Sequence, residues 1–198
     1  MKNSDDFIYV NPNALDEELC KDIIEKFEND NRKSSGLIAY ENGEKRIDKK
    51  LKTSTDLFIS NLNDWKEIDT TISKSVSENI QNYIDHCSEI FDKLDPSPNP
   101  FSGAKFDDHG YNVKSYEPGG YFHWHDDFMV DKKTPRMIAM LFYMNNVNMG
   151  GETEFISGKK IIPSTGKLVM FPSTWNYIHR GVTPKKGKKY IISAYLHQ

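Results

Sequence analysis

The stretch Tyr116-Glu-Pro-Gly-Gly-Tyr-Phe-His-Trp-His-Asp-Asp-Phe128 decides how the rest of the chain is read. Just after a Pro-Gly-Gly turn it places two imidazoles, His123 and His125, and two carboxylates, Asp126 and Asp127. In an extended strand neighbouring side chains alternate between faces. His123, His125 and Asp127 then share one face, with Phe122, Trp124, Asp126 and Phe128 on the other. Two or three such donors on one strand face make a chelate, whereas in a loop the same residues would simply be solvated.

Downstream of this stretch, short apolar or alternating runs recur between turn clusters. They are Met137–Met144, Thr153–Ile156, Lys160–Ile162, Lys167–Phe171, Tyr177–Arg180 and Tyr190–Leu196, with Asn112–Tyr116 just upstream. Many short strands at this spacing predict a β-sandwich or barrel. His179 lies about fifty residues after Asp127 and supplies a distant third donor. Two histidines and one carboxylate leave open coordination positions, an arrangement suited to Fe(II) that must also bind oxygen.

The N-terminal half reads differently. Phe7 to Val10 predicts a short strand. Leu15, Leu19, Ile23 and Phe27 recur every four residues and predict a helix over 16–29, with acids at its positive end. Residues 37–60 read as one or two strands around an Asn42-Gly43 turn. Ile68, Ile72, Val76, Ile80, Tyr83, Ile84, Cys87 and Phe91 trace the core stripe of a second helix, and His86 is read as a surface residue beside it. Asp95-Pro-Ser-Pro-Asn-Pro ends that helix, and 95–110 reads as a loop long enough to act as a lid. The expected fold class is α+β, mainly β, in one domain over 1–198: a helical and strand support region over 1–95, then a β core over 111–197.

A length of 198 residues suffices for a sizeable core, and the mixed charge, net −3, gives no general case for nucleic acid or anionic membrane. No apolar run approaches the roughly 20 residues of a membrane-spanning helix. The opening Met-Lys-Asn-Ser-Asp-Asp lacks the apolar segment of a signal peptide, and Cys20 and Cys87 have no metal-type spacing. A reduced, cytoplasmic setting is the expectation, with one disulfide left open.

Tyr116-x-x-Gly119-x-x-Phe122-x-x-His125-x-Asp127-Phe128, the turn Gly150-Gly-Glu-Thr-x-Phe155, and His179 followed ten residues later by Lys189 resemble the 2-oxoglutarate/Fe(II) dioxygenases, prolyl 4-hydroxylase-like branch. The resemblance implies a double-stranded β-helix, or jelly roll, backed by the N-terminal helices. It implies Fe(II) on His125, Asp127 and His179, with 2-oxoglutarate and O2 as cosubstrates and ascorbate as a candidate reductant. Lys189 would pair with the far carboxylate of 2-oxoglutarate, Tyr143 would donate to the same group, and Tyr116 and Ser193 would line its pocket. Arg136 resembles a position beside the bound substrate. Position 120 is Gly where the branch often has Gln, and His123 is an extra imidazole read as a residue on the substrate side or just behind the metal donors.

The resemblance implies oxidative decarboxylation to succinate and CO2, coupled to hydroxylation of an unactivated C–H bond. The expected substrate is a prolyl residue in a protein or peptide, with loops 95–110 and 128–135 closing over it. The alternatives are a free amino acid, a small molecule or a nucleobase as substrate, or a cupin-like metal protein using His123, His125 and His179. Around the expected mouth the only basic residues read from sequence are Arg136 and the Lys132-Lys133 pair, which makes nucleic acid the weaker partner.

Overall fold

The computed structural model describes residues 4–39, 44–98, 100–131 and 134–198. The expected Asn42-Gly43 turn and the Lys132-Lys133 pair lie outside them. The N-terminal half carries a 3-10 turn at Ser4–Phe7, then β1 (Tyr9–Asn11), α1 (Glu17–Asn29), β2 (Ser34–Ser35), β3 (Ile38–Ala39), β4 (Lys45–Arg46), β5 (Thr55–Phe58) and α2 (Lys66–Phe91). The C-terminal half is mainly strand: β6 (Asp107–Asp108), β7 (Asn112–Tyr116), β8 (Phe122–His125), β9 (Val130–Asp131), β10 (Thr134–Tyr143), β11 (Thr153–Phe155), β12 (Lys160–Ile161), β13 (Leu168–Pro172), β14 (His179–Gly181) and β15 (Lys189–His197).

The helix α1 starts where its cap requires. Asp16 holds an extended backbone and its side chain accepts from the Leu19 N–H, with Glu17 and Glu18 in the first turn facing the positive end of the helix dipole. Cys20, Ile23 and Phe27 form its buried edge, and the matching edge of α2 includes Ile72, Val76, Tyr83 and Cys87. Both cysteines are free and buried, so the open disulfide question closes in favour of thiols.

A large sheet runs in the order β1-β13-β10-β15-β7-β5-β2, and a smaller one in the order β12-β11-β14-β8. Along β10 the pleat sorts residues between two cores. Ile138, Met140 and Phe142 join the cluster formed with α1 and α2, while Ala139, Leu141 and Tyr143 join one with Phe155, Ile161 and Tyr177 of the small-sheet side. β13 and β15 sort the same way: Met170 and Ile192 go to the helices, Val169 and Ile191 to the other cluster. Sheets covered on both faces read as nearly continuous apolar runs, which is why these strands were prominent in sequence.

Three local expectations need correction. The N-terminal strand begins at Tyr9, because Ser4–Phe7 coil into a 3-10 turn closed by the Ile8 N–H on the Asp5 carbonyl. Tyr177 belongs to a 3-10 turn before β14 rather than to the strand. The 95–110 segment is not wholly free to act as a lid. Phe101 packs against Tyr83 and Phe91 of α2 and against Phe106, all on the helical side of the large sheet, and Asp107–Asp108 pair with the end of β15. His86 is half-buried at the helix surface, bonded through Nε2 to the Asp6 carbonyl, as expected of a residue beside the core stripe.

Candidate active site

The facing sheets leave a cleft between the inner face of β7, β10 and β15 and the strands β8 and β14. Its geometry starts from an irregularity in β8. His125 lies opposite His179 on β14, and Phe122 lies opposite Gly181. Three steps along β8 therefore match two along β14, a bulge that resets the pleat. The Phe122 ring stacks on His125, ring centres 3.5 Å apart, and both line the cleft. His123 is exposed, its ring 4.6 Å from that of Tyr121. Strict alternation through Asp127 is thus corrected: the strand stops at His125, irregular backbone carries Asp127, and His123 leaves the shared face. The three-histidine, cupin-like set is not brought together.

His125, Asp127 and His179 are, with one ligand atom from each lying within 4.8 Å of the others. His125 Nε2 lies 3.8 Å from Asp127 Oδ1, and His179 Nε2 lies 3.6 Å from Asp127 Oδ2. These gaps are too long for hydrogen bonds and suit a cation seated between the donors. The backbone fixes both tautomers. His125 Nδ1 is 2.7 Å from the His123 carbonyl, and His179 Nδ1 is 3.0 Å from the Tyr177 carbonyl. A carbonyl only accepts, so each Nδ1 carries the proton and each Nε2 lone pair points inward. The Tyr195 hydroxyl donates to Asp127 Oδ1 at 3.0 Å, while Asp127 Oδ2 is buried with no hydrogen-bond partner. An unpaired buried carboxylate oxygen is costly, and a metal ion supplies the missing partner. The residues present therefore fit Fe(II).

The electrostatics point the same way. Burial, assisted by the charge of His179, pushes His125 down to about 3, with Lys114 opposing protonation further and Asp127 favouring it. Burial pulls the Asp127 carboxyl up, but His179, His125 and Arg136 outweigh it and hold the group below its ordinary value. Neutral imidazole and ionised carboxylate are the metal-binding forms.

Lys189 stands at the other end of the cleft, 3% exposed, with Nζ 5.4 Å from the Tyr143 ring centre and 5.9 Å from that of Tyr116. Burial pushes its ammonium down to about 7, which Glu152 opposes without offsetting. A buried cation in this state gains from an anionic ligand. Tyr143 donates its hydroxyl to Thr153 Oγ1 at 2.7 Å, and Thr153 lines the cleft beside Lys189. Gly150 makes the turn into β11: its φ is +74°, and a Cβ there would fall 2.1 Å from the Thr183 carbonyl oxygen. Lys188 points outward to Glu117 at 2.9 Å and Glu28 at 3.2 Å, as alternation requires.

Tyr116 and Ser193 also line the cleft. Arg136 lies against Tyr195 and Asp127, its guanidinium 3.7 Å from the Tyr195 ring centre and Nη1 at 3.5 Å from the Asp127 carbonyl. Sequence reasoning missed Phe122 as a cleft wall, together with Thr153, Tyr195 and Lys114. Two of these carried a signal. Tyr195 continues the Lys189, Ser193 face of β15, and Lys114 is two residues from Tyr116 on β7.

Residues 111–197 match the family model described as 2OG-Fe(II) oxygenase superfamily. No curated protein matches the chain significantly. Among solved structures, a viral collagen prolyl hydroxylase from Paramecium Bursaria Chlorella virus-1, in its 2OG complex, is 19% identical with a TM-score of 0.66, covering 96% of each chain. A prolyl hydroxylase from Trichoplax adhaerens, in complex with a hypoxia inducible factor peptide fragment, is 16% identical with a TM-score of 0.70, covering 97% of this chain and 84% of its own. A Pseudomonas putida prolyl-4-hydroxylase is 14% identical with a TM-score of 0.61, covering 98% and 96%. At these identities the likeness establishes a shared fold. The family match spans the strands that carry both the three-donor cluster and Lys189, and the chain carries a 2OG-Fe(II) oxygenase superfamily domain over residues 111–197, on a fold shared with prolyl hydroxylases.

Proposed function

We propose that this enzyme hydroxylates an unactivated C–H bond of a prolyl residue in a protein or peptide, with release of succinate and CO2. The two facing sheets are read as a jelly roll with the reaction at its open end. The observation that carries the reading is a single cleft with three inward metal donors at one end and a buried cation at the other. The prolyl part rests on the fold shared with the prolyl hydroxylases above.

His125, Asp127 and His179 would hold Fe(II), and Lys189 the far carboxylate of 2-oxoglutarate. When bound, Fe(II) and 2-oxoglutarate supply the oxidising chemistry with O2, and ascorbate is the reductant to add in an assay. The chain's own residues orient and shield. Phe122 stacks on the His125 ring and keeps water from that side of the donor. Tyr195 holds one oxygen of Asp127 and leaves the other for the metal. Thr153 fixes the Tyr143 hydroxyl near Lys189, while Tyr116 and Ser193 complete the wall of the 2-oxoglutarate pocket. Trp124 and Phe128 expose apolar surface on either side of the metal-bearing segment, and Arg180 lies over the Trp124 ring at 4.7 Å. An extended proline-containing segment, with φ already fixed, could lie across such a surface at low entropic cost. His123 and Arg136 are the substrate-side residues of this reading.

The test is succinate release with a panel of proline peptides, free amino acids and nucleobases, read alongside product mass. Succinate coupled to a gain of one oxygen atom on a proline peptide supports the proposal. Coupling only to a free amino acid or nucleobase refutes its prolyl part.

A further inference from the structure

A second group of buried charges stands on the wall of the same cleft. Lys52, Asp56 and Lys114 are each under a tenth exposed. Lys52 Nζ lies 2.9 Å from Asp56 Oδ2, Asn112 donates to the same oxygen at 3.3 Å, and Lys114 Nζ is 3.5 Å away. Asp56 Oδ1 accepts from the Ser54 hydroxyl. Two ammonium groups therefore share one carboxylate, and Lys52 holds it at the shorter distance. Backbone roofs over Lys52: a Cβ on Gly36 would fall 2.8 Å from its Nζ. Lys114 is the member of the pair that lines the cleft.

Its position is distinct from that of Lys189. Lys189 pairs across the sheet with Tyr116, and Ile191 pairs with Lys114. Lys114 is thus one two-residue step, about 7 Å, along the strand from Tyr116 toward the Ser193 and Tyr195 end. Under the proposed function the cosubstrate's two carboxylates would be taken up by Lys189 and by the metal. A further buried cation in the cleft then calls for an anion from another molecule.

We propose that Lys114 is a specificity-determining residue that receives a carboxylate of the primary substrate beside the reacting carbon. This rests on the peptide-hydroxylase reading, under which the carboxylate is an Asp or Glu side chain flanking the target proline. A charge-assisted contact of this kind should favour the carboxylate over its amide roughly ten- to a hundredfold.

The experiment compares kcat/KM on matched pairs: Asp- and Asn-flanked proline peptides, Glu- and Gln-flanked ones, and free proline with prolinamide. Wild-type enzyme is set against Lys114→Met and Lys114→Arg, with the KM for 2-oxoglutarate measured in each. Lys114→Met leaves Lys52 paired with Asp56, so the fold retains a balanced pair. The expected result is at least a tenfold carboxylate preference in the wild type, lost in Lys114→Met and kept in Lys114→Arg, with the 2-oxoglutarate KM within about twofold throughout. No carboxylate preference anywhere in the panel overturns the assignment. So does a preference that survives Lys114→Met, or a Lys114→Met effect confined to 2-oxoglutarate. A carboxylate preference shown only by free proline, and abolished by Lys114→Met, supports Lys114 while removing the peptide reading.

Discussion

The two faces of the large sheet are built from alternate residues of the same strands, yet they do different work. On β10 and β15 the face toward the helices carries Ile138, Met140, Phe142, Ile192, Ala194 and Leu196, all buried and apolar. The face toward the cleft carries Tyr143, Lys189, Ser193 and Tyr195 among a few aliphatics. Burying a lysine and ionisable tyrosines costs stability unless partners are supplied. The helix-facing side offsets that cost with dense apolar burial about one residue away. Stability and chemistry thus separate by strand parity, and substitutions at neighbouring positions should fail in different assays.

The largest effect is expected at Asp127. Asp127→Ala should remove turnover and greatly weaken Fe(II) binding while leaving the thermal transition of the metal-free protein close to wild type. A metal titration beside a melting curve separates the two. Phe142, on the helix-facing side, should do the reverse. It is fully buried, and Phe142→Ala should cost about 3–5 kcal/mol in denaturant unfolding, with turnover per folded molecule retained at low temperature. Loss of iron by a folded Phe142→Ala protein would mean the two faces are coupled rather than separate.

Lys189→Ala should raise the 2-oxoglutarate requirement roughly ten- to a hundredfold with iron still bound, whereas Lys188→Ala, one residue away and facing Glu117 and Glu28, should be nearly neutral. Exchanged behaviour would contradict the parity of β15. A further effect is one of pH. Burial lowers Lys189 to about 7 in the fold, against an ordinary lysine value near 10.5. Below pH 7 both folded and unfolded chains carry the charge, and the full burial cost is present. From about pH 7 to 10.5 the unfolded chain binds more protons, so this group makes the ligand-free protein more stable as pH rises. The wild-type minus Lys189→Met difference in unfolding free energy should therefore rise across that window. Added 2-oxoglutarate should favour the charged lysine and be accompanied by proton uptake above pH 7.

Much of this was legible in the sequence because it follows from strand period and helix capping. Asp16 before the α1 stripe follows from capping, the β7 limits follow from strand period, and so does Lys188 outward once the resemblance sets Lys189 inward. Residue types and spacing pointed to His123, His125, Asp127 and His179 as donors, and the family resemblance selected His125, Asp127 and His179 among them. The bulge in β8 was not legible. It depends on pairing with β14, about fifty residues away, and it is what brings Phe122 onto His125 and turns His123 out. Lys52 and Asp56 were hidden for a related reason. Their significance arises only when β5 lies beside β7 and sets Asp56 opposite Lys114. The anchoring of part of 95–110 was hidden as well, because it depends on an aromatic residue of a Pro-rich segment docking on a helix, as Phe101 does on α2.

In the proposed function one cleft holds the metal through three side chains and the cosubstrate through a fourth at its far end. Anaerobic calorimetry of 2-oxoglutarate binding, with and without Fe(II), tests this for the wild type, Asp127→Ala and Lys189→Ala. Tight 2-oxoglutarate binding is expected only of metal-loaded wild type. Asp127→Ala should lose metal and cosubstrate together, and Lys189→Ala should keep the metal while losing the cosubstrate. Wild-type metal affinity in Asp127→Ala, or unchanged 2-oxoglutarate affinity in Lys189→Ala, would contradict it.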